Sequence, residues 1–158
     1  MSTFQTYTDI DALDTEFQHL IHKAKEALGK AYAPYSKFHV GAALLLENGT
    51  VITGSNQENA AYPSCMCAER VALYAVASLH PGAVITKVAV VARKKSGKDL
   101  IPVTPCGPCR QVMLEFETRQ QQPLGVVMLA SEHEWVVAPS AASLLPYCFT
   151  KDNLHPEH

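Results

Sequence analysis

The chain has 158 residues, of which 47% are hydrophobic and 18% charged, and its formal net charge is -2. This composition is typical of one folded domain with a sizeable core, and it excludes a disordered chain. So mild a negative charge does not favour a nucleic-acid polymer or an anionic membrane surface as a partner.

The N-terminal stretch is polar and acidic, unlike a secretory signal, and no apolar run is long enough to span a bilayer. We therefore expect a single domain over residues 1–158 in the cytoplasm, without membrane contact. Apolar residues recur at helical spacing from Leu13 to Leu28, which predicts an amphipathic helix that ends near Gly29. Residues 40–46 and 51–54 predict a hairpin around an Asn-Gly turn.

The second half of the chain alternates helices with apolar strands. Two consecutive strand–helix–strand crossovers predict parallel strands with helices packed against the sheet. Small-molecule sites in such sheets lie at the carboxyl ends of strands and the amino ends of helices. We predict helices at 67–79, 105–118 and 140–145, strands at 84–92 and 125–130, and a short edge strand at 135–138.

Four of the five cysteines form two tight pairs, Cys65 with Cys67 and Cys106 with Cys109. Structural disulfides are rare in the cytoplasm, so such pairs favour metal binding or catalysis. Both pairs stand where predicted helices begin, and the fold should bring them to one edge of the sheet. The alternative for the second pair is redox chemistry, because Cys-Gly-Pro-Cys is also the thioredoxin tetrapeptide.

The number of cysteines that bind determines what a zinc ion would do here. Four protein ligands make a closed structural site, whereas three leave a position for water. Side chains two residues apart point in different directions unless the backbone turns sharply, and Cys67 is nearer the helix start, where amide groups favour a thiolate. This favours Cys67 over Cys65, although a four-cysteine structural module remains an alternative. Glu69 is then placed to move protons of the water.

Three thiolates and one zinc ion sum to a charge of -1, which makes the metal a weaker acid toward its water. Two arginines follow the cysteines closely, Arg70 and Arg110. We expect Arg70 to donate hydrogen bonds to the sulfurs and so offset the negative charge, and Arg110 is a second candidate for this role. The alternative for Arg70 is a surface salt bridge.

Two motifs carry a family resemblance, Cys67-Ala68-Glu69 and Pro105-Cys106-Gly107-Pro108-Cys109. In this order they resemble the signature of zinc deaminases. The stretches FHVGAAL at 38–44, NQENAAYP at 56–63 and LLP at 144–146, followed by Phe149, extend the match over about residues 20–150. The chain resembles the small homotetrameric cytidine deaminases that act on free nucleosides.

The resemblance implies an α/β fold, in three α/β/α layers around a mixed five-stranded sheet. It also implies one Zn²⁺ per subunit and a homotetramer with its sites at subunit interfaces. The reaction would be hydrolytic deamination of cytidine and deoxycytidine to uridine and deoxyuridine, with release of ammonia, in pyrimidine salvage. A deaminase acting on a free base, an aminonucleoside or a polymer is the remaining alternative within the family.

The family's functional residues carry over to matching positions of this chain. Cys67, Cys106 and Cys109 match the zinc ligands, and Glu69 matches the catalytic acid and base. Arg70 is expected to donate hydrogen bonds to the sulfurs. Cys65 stands where the family often has glycine, and we expect it to be a free thiol that does not bind the metal. The resemblance also implies the residues that bind the substrate. Asn56 and Glu58 would bind the ribose hydroxyls, Phe38 would lie beside the pyrimidine ring, and the backbone amide of Ala68 would bind the carbonyl of the base. Tyr62 and Phe149 would reach the site of a neighbouring subunit.

Overall fold

The structure is a computed structural model that describes residues 3–155. Its strands are β1 (Gln5–Tyr7), β2 (Phe38–Leu46), β3 (Val51–Ser55), β4 (Ile85–Lys94), β5 (Gly125–Ser131) and β6 (Glu134–Ala138). Its α-helices are α1 (Thr15–Ala27), α2 (Ala68–Leu79), α3 (Gly107–Gln120) and α4 (Lys151–Leu154). Helices α1 to α3 and strands β2 to β6 lie within about two residues of their predicted positions, while residues 140–145 contain only the single 3-10 turn Ala142–Leu144.

The strands form one mixed sheet in the order β1-β6-β5-β4-β2-β3. Strands β4 and β5 are parallel neighbours, as the second crossover predicts. The first crossover also joins parallel strands, β3 and β4, but they are not neighbours, because β2 lies between them and is antiparallel to both. The hairpin places β3 on the far side of β2, so β4 takes the other edge of β2.

The sheet has six strands, not the five predicted. The additional strand is β1, which pairs with β6 through Gln5↔Val137 and Tyr7↔Trp135. Strand β6 is therefore not the edge strand that the sequence predicted. Strand β1 has only three residues and no buried side chain, so its pairing depends on backbone hydrogen bonds and leaves no hydrophobic pattern to detect.

Helices cover both faces of the sheet, which confirms the three-layer α/β/α prediction. Helix α1 lies on one face and buries Phe17, Leu20 and Ile21 against that side of β2, β4 and β5. Helices α2 and α3 lie on the other face, where Leu73, Met113 and the opposite side of the same strands form the larger core. None of the helices within residues 3–155 is long and apolar enough to cross a membrane.

Gly54 sets how closely α2 approaches the sheet. A Cβ atom added at Gly54 would lie 2.5 Å from the carbonyl oxygen of Ala68 and 2.7 Å from the backbone nitrogen of Ala72. Both atoms are backbone of α2 and cannot rotate away as a side chain would. Since Ala68 directly follows Cys67, the absence of a side chain at Gly54 also determines the position of the first cysteine motif.

We expect Gly54→Ala to destabilise the protein by about 1–3 kcal/mol, because α2 must shift away from β3 to make room for the methyl group. Thermal unfolding followed by circular dichroism measures the effect. Gly29→Ala is the matched control, since a Cβ at Gly29 meets nothing within 4 Å. Equal melting temperatures for the two variants would contradict this account of the close packing.

Candidate active site

Helices α2 and α3 begin at the same edge of the sheet and bring three cysteine sulfurs together. Cys67 and Cys106 each immediately precede a helix, and Cys109 lies in the first turn of α3. The Sγ atom of Cys106 is 3.7 Å from that of Cys67 and 3.4 Å from that of Cys109. All three sulfurs lie within 4.8 Å of one another, so the group can hold one metal ion. Three thiolates at this spacing suit zinc.

Cys65 does not belong to this group. Its Sγ atom accepts a hydrogen bond from the backbone nitrogen of Asn59 at 3.2 Å and lies 3.6 Å from the Asn59 carbonyl oxygen. The backbone at Cys65 and at Cys67 has dihedral angles close to polyproline II. That conformation has three residues per turn, so side chains two residues apart point in different directions. The four-cysteine structural module is therefore not formed.

Two of the sulfurs have opposite pKa shifts. Hydrogen bonding with Cys109, together with a hydrogen bond from Arg70, lowers the pKa of Cys67 to about 5. The same bond and burial raise the pKa of Cys109. The Nη2 atom of Arg70 donates to the Cys67 sulfur at 3.4 Å, so a fixed positive charge lies against the most acidic thiol.

Arg110 was the second candidate for a hydrogen bond to a sulfur, but its partners are different. Its guanidinium donates to the carbonyl oxygens of Pro105 at 2.7 Å and Leu144 at 3.1 Å. The difference arises because Arg110 lies one residue beyond Cys109, on the side of α3 that faces the C-terminal segment. Of the two candidates, Arg70 makes the predicted contact with a sulfur of the cluster.

Glu69 lies in the first turn of α2, and only 3% of its surface is exposed. Its Oε2 atom is 3.8 Å from the Cys109 sulfur. Burial raises the pKa of Glu69 to about 7, and the negative charge of Cys67 acts in the same direction. A carboxyl group with a pKa near neutrality can both accept and release a proton, which suits it to general acid–base chemistry beside a metal.

The cluster lies at the bottom of a cleft of about 670 Å³. This volume suits a small molecule of nucleoside size. The cleft is lined by the predicted residues Phe38, Asn56, Glu58, Tyr62, Cys67, Glu69, Arg70 and Cys106. Its wall also includes residues that the sequence analysis missed, among them Ser36, Val103 and Thr104. Val103 and Thr104 directly precede Pro105-Cys106, and that adjacency was the signal that could have identified them.

Three predicted residues do not line the cleft. Cys109 is buried beneath it, and Ala68 is fully buried at the start of α2. Phe149 lies 56% exposed in the C-terminal segment, where its carbonyl oxygen accepts a hydrogen bond from Gln111. The described chain thus assembles the metal cluster, the carboxyl group and the predicted contacts Phe38, Asn56 and Glu58 in one cleft. Tyr62, which was predicted for a neighbouring subunit's site, also lines the cleft of its own chain, while Phe149 lies outside.

Asn56 and Glu58 form a polar wall that is already hydrogen-bonded to the backbone. The side chain of Asn56 donates to the Phe38 carbonyl oxygen at 2.8 Å and accepts from the Val40 nitrogen at 2.9 Å. An amide has two N–H groups and two lone pairs, so these contacts use half of its capacity. The pair of bonds holds Phe38 at the mouth of the cleft.

Glu58 accepts hydrogen bonds from the hydroxyl of Ser36 at 2.5 Å and from the backbone nitrogens of Tyr35 and Ser36. The bond from the Ser36 hydroxyl lowers the pKa of Glu58, so this carboxylate remains ionised. A fixed carboxylate beside a fixed amide can accept from and donate to neighbouring hydroxyl groups.

Comparison with known proteins identifies the family. The family model for the cytidine and deoxycytidylate deaminase zinc-binding region matches residues 14–133. The chain belongs to the cytidine and deoxycytidylate deaminase family. Among curated relatives of this deaminase, the cytidine deaminase of Sporosarcina psychrophila is 41% identical over 139 residues, which cover 88% of this chain and 95% of the relative. The cytidine deaminase of Halalkalibacterium halodurans is 41% identical over 87% of this chain and 97% of its own length.

Solved structures agree with this assignment. The crystal structure of cytidine deaminase from Burkholderia pseudomallei superposes on this deaminase with a TM-score of 0.71 and 42% sequence identity, over 87% of this chain and all of that one. Cytidine deaminase from Mycobacterium tuberculosis gives a TM-score of 0.68 at 33% identity. The zinc-binding family and the three-sulfur cluster together identify zinc as the cofactor of this deaminase.

We expect Cys67→Ser to lose its zinc and Cys65→Ser to keep it. Of these two cysteines, only Cys67 contributes a sulfur to the cluster. Zinc content per chain, measured by atomic emission after gel filtration, distinguishes the two variants. Each variant replaces one sulfur atom by oxygen, and the two positions are only two residues apart, so the variants are matched controls. Loss of zinc from Cys65→Ser, with retention by Cys67→Ser, would show that the wrong cysteine has been assigned.

Proposed function

We propose that this deaminase hydrolyses cytidine and deoxycytidine to uridine and deoxyuridine, with release of ammonia, in pyrimidine salvage. The observation that carries the proposal is the buried carboxyl group of Glu69 beside the three-sulfur cluster, at the bottom of a cleft of nucleoside size. A metal ligand set and a carboxyl group with a pKa near neutrality are the two components that hydrolytic removal of an amino group requires. The relatives named cytidine deaminase support the choice of substrate.

In the proposed site Cys67, Cys106 and Cys109 hold one Zn²⁺ through their sulfurs. When bound, zinc acts as a Lewis acid that makes water a stronger nucleophile at neutral pH. Arg70 offsets part of the charge of the three thiolates by donating to Cys67. The N-termini of α2 and α3 act in the same direction, because the first amide groups of a helix favour negative charge.

Glu69 moves the protons of the reaction. It takes one proton from the attacking water and delivers it to the ring nitrogen next to the carbon that carries the amino group. It then takes the second proton of the water from the added oxygen and passes it to the departing amino group, which leaves as ammonia, while the carbon keeps that oxygen as a carbonyl. Burial supports this role, since a pKa of about 7 allows Glu69 to be found in either protonation state at neutral pH.

The walls of the cleft hold the nucleoside. Asn56 and Glu58 bind the ribose hydroxyls, and Phe38 packs against the neutral pyrimidine ring. Ala68 is buried and does not line the cleft, but it directly follows Cys67 and its backbone N–H belongs to the first turn of α2, where helix amides have no intrahelical partner. This N–H is the group that donates to the base carbonyl in the proposed complex. The fixed positions of Asn56 and Glu58 support a nucleoside over a free base, because both groups keep hydrogen-bonding capacity that suits the sugar hydroxyls and that a free base would not use.

We also propose a homotetramer in which Tyr62 and Phe149 reach the cleft of a neighbouring subunit. Tyr62 is 71% exposed, Tyr147 95% and Phe149 56%. Exposed aromatic groups of this kind around a cleft are typical of an interface. The compartment proposed is the cytoplasm, which keeps thiols such as these reduced. The formal charge of -2 supports a small-molecule substrate over a nucleic-acid polymer.

We expect Glu69→Gln to lower kcat for cytidine by about 10²–10⁴-fold, because the amide keeps the shape of the side chain but transfers no proton. The ultraviolet change on conversion of cytidine to uridine, with an independent ammonia assay, measures the rate. Zinc content and melting temperature should match those of the parent. A zinc-loaded parent that converts neither cytidine nor deoxycytidine, while it deaminates cytosine or another amine, would overturn the proposed substrate.

We expect Phe149→Ala to weaken both the tetramer and activity, because the ring would contribute to a neighbouring subunit. Sedimentation velocity with an assay of the same fractions checks this, and Leu154→Ala is the control, since Leu154 is also exposed but lies in the terminal helix. A parent that is monomeric and active at assay concentration would contradict the shared site.

A further inference from the structure

The segment Val103–Cys106 leads the chain into the metal cluster and also forms part of the cleft wall. We call these residues the approach segment. Val103 is paired to β5 through its backbone nitrogen, which donates to Leu129 at 2.9 Å. Beyond Val103 the segment has neither helical nor strand structure until α3 begins at Gly107. Some other contact must therefore fix Thr104 and Pro105, and with them the direction from which Cys106 presents its sulfur.

Arg110 makes that contact. Its Nε atom donates to the Pro105 carbonyl oxygen at 2.7 Å, and its Nη2 atom lies 3.4 Å from the Thr104 hydroxyl oxygen. Both acceptors belong to the approach segment, and Pro105 is buried. The guanidinium thus holds Thr104 and Pro105, the two residues directly before Cys106. Neither of these two residues belongs to a strand of the sheet or to α3.

The same guanidinium also binds the C-terminal part of the chain. Its Nη1 atom donates to the Leu144 carbonyl oxygen at 3.1 Å, and the Leu144 side chain is buried in the core. The next residue of α3, Gln111, donates to the Phe149 carbonyl oxygen at 2.9 Å. Two consecutive side chains therefore attach the segment 144–149 to the helix that carries Cys109. This segment otherwise exposes most of its side chains, including Tyr147 and Phe149.

We propose that Arg110 is a positioning residue of the active site. It fixes the approach segment, and through it the Cys106 sulfur and the Thr104 side of the cleft, against the C-terminal segment. The metal cluster and the segment that carries Phe149 are then parts of one hydrogen-bonded unit. This inference rests on the proposed function for its effect on catalysis, but the positions of Cys106 and Leu144 can be measured without substrate.

The shape of the guanidinium, in addition to its charge, is what the position requires. Three acceptors on two separate segments are reached from three different nitrogens of one planar group. Lysine has a single nitrogen on a flexible stem and cannot satisfy all three in these directions. Arg110→Lys therefore keeps the positive charge near the cluster but removes the link between the two segments.

The test compares Arg110→Lys and Arg110→Gln with the parent and with Arg119→Gln. Arg119 is the matched control, because it lies on the same helix, is exposed and stacks on Phe116 away from the cluster. For each protein we would measure zinc content, the visible and near-ultraviolet spectrum after replacement of zinc by Co²⁺, and kcat and KM for cytidine. Amide hydrogen exchange of the non-proline residues in 103–106 and 144–149 would be followed in the zinc-loaded proteins.

We expect both Arg110 variants to fold and to bind metal, with altered Co²⁺–thiolate bands and faster exchange in both segments. We expect kcat to fall by about 10–100-fold, the usual loss when a group that orients a metal ligand is removed. KM should change by much less, because Asn56 and Glu58 are untouched. Arg119→Gln should match the parent in every measurement.

Parental spectrum, exchange and kcat in Arg110→Lys would overturn the proposal, since charge alone would then suffice. Faster exchange confined to residues 144–149, with an unchanged Co²⁺ spectrum, would also overturn the proposal. Arg110 would then order only the C-terminal segment and would not position the Cys106 sulfur. If the parent fails to deaminate cytidine while the spectrum and exchange change as expected, the proposed substrate fails and the positioning role stands.

Discussion

The structure depends on the placement of three sulfur atoms within 4.8 Å of one another. Thiolates at this distance repel strongly unless positive charge surrounds them. The fold supplies that charge by starting α2 and α3 at the same edge, so that two helix N-termini point at the cluster, and by directing Arg70 onto Cys67. The ordering of the cluster is therefore inseparable from the packing of both helices on one face of the sheet.

That packing places chemically different environments next to each other. Glu69 and Cys109 lie on the buried side of the cluster, where desolvation favours the protonated carboxyl group, while Cys106 and Glu58 remain accessible from the cleft. Glu58 is ionised because Ser36 and nearby amides bind it. Two carboxyl groups in one cleft thus have opposite pKa shifts, which matches their proposed roles in proton transfer and in binding hydroxyl groups.

The geometry also distinguishes the alternatives that the cysteine spacing left open. In a thioredoxin-like site, two cysteines work as a redox pair without a third sulfur. Here Cys106 and Cys109 share a cluster with Cys67 and lie beside Glu69. A closed structural zinc site would need Cys65, whose sulfur is bound to the Asn59 backbone instead. The match of residues 14–133 to the deaminase family agrees with the three-cysteine arrangement.

The sequence by itself determined helices α1 to α3, five of the six strands, the family and the residues that form the cluster and much of the cleft. These follow from short-range patterns, such as the periodicity of α1 and the motifs at the starts of α2 and α3. Only the tertiary structure decided the pairing of β1 with β6, the insertion of β2 between β3 and β4, and the partners of Arg110. Each of these is a hydrogen-bonded contact between distant parts of the chain, for which local side-chain spacing carries no information.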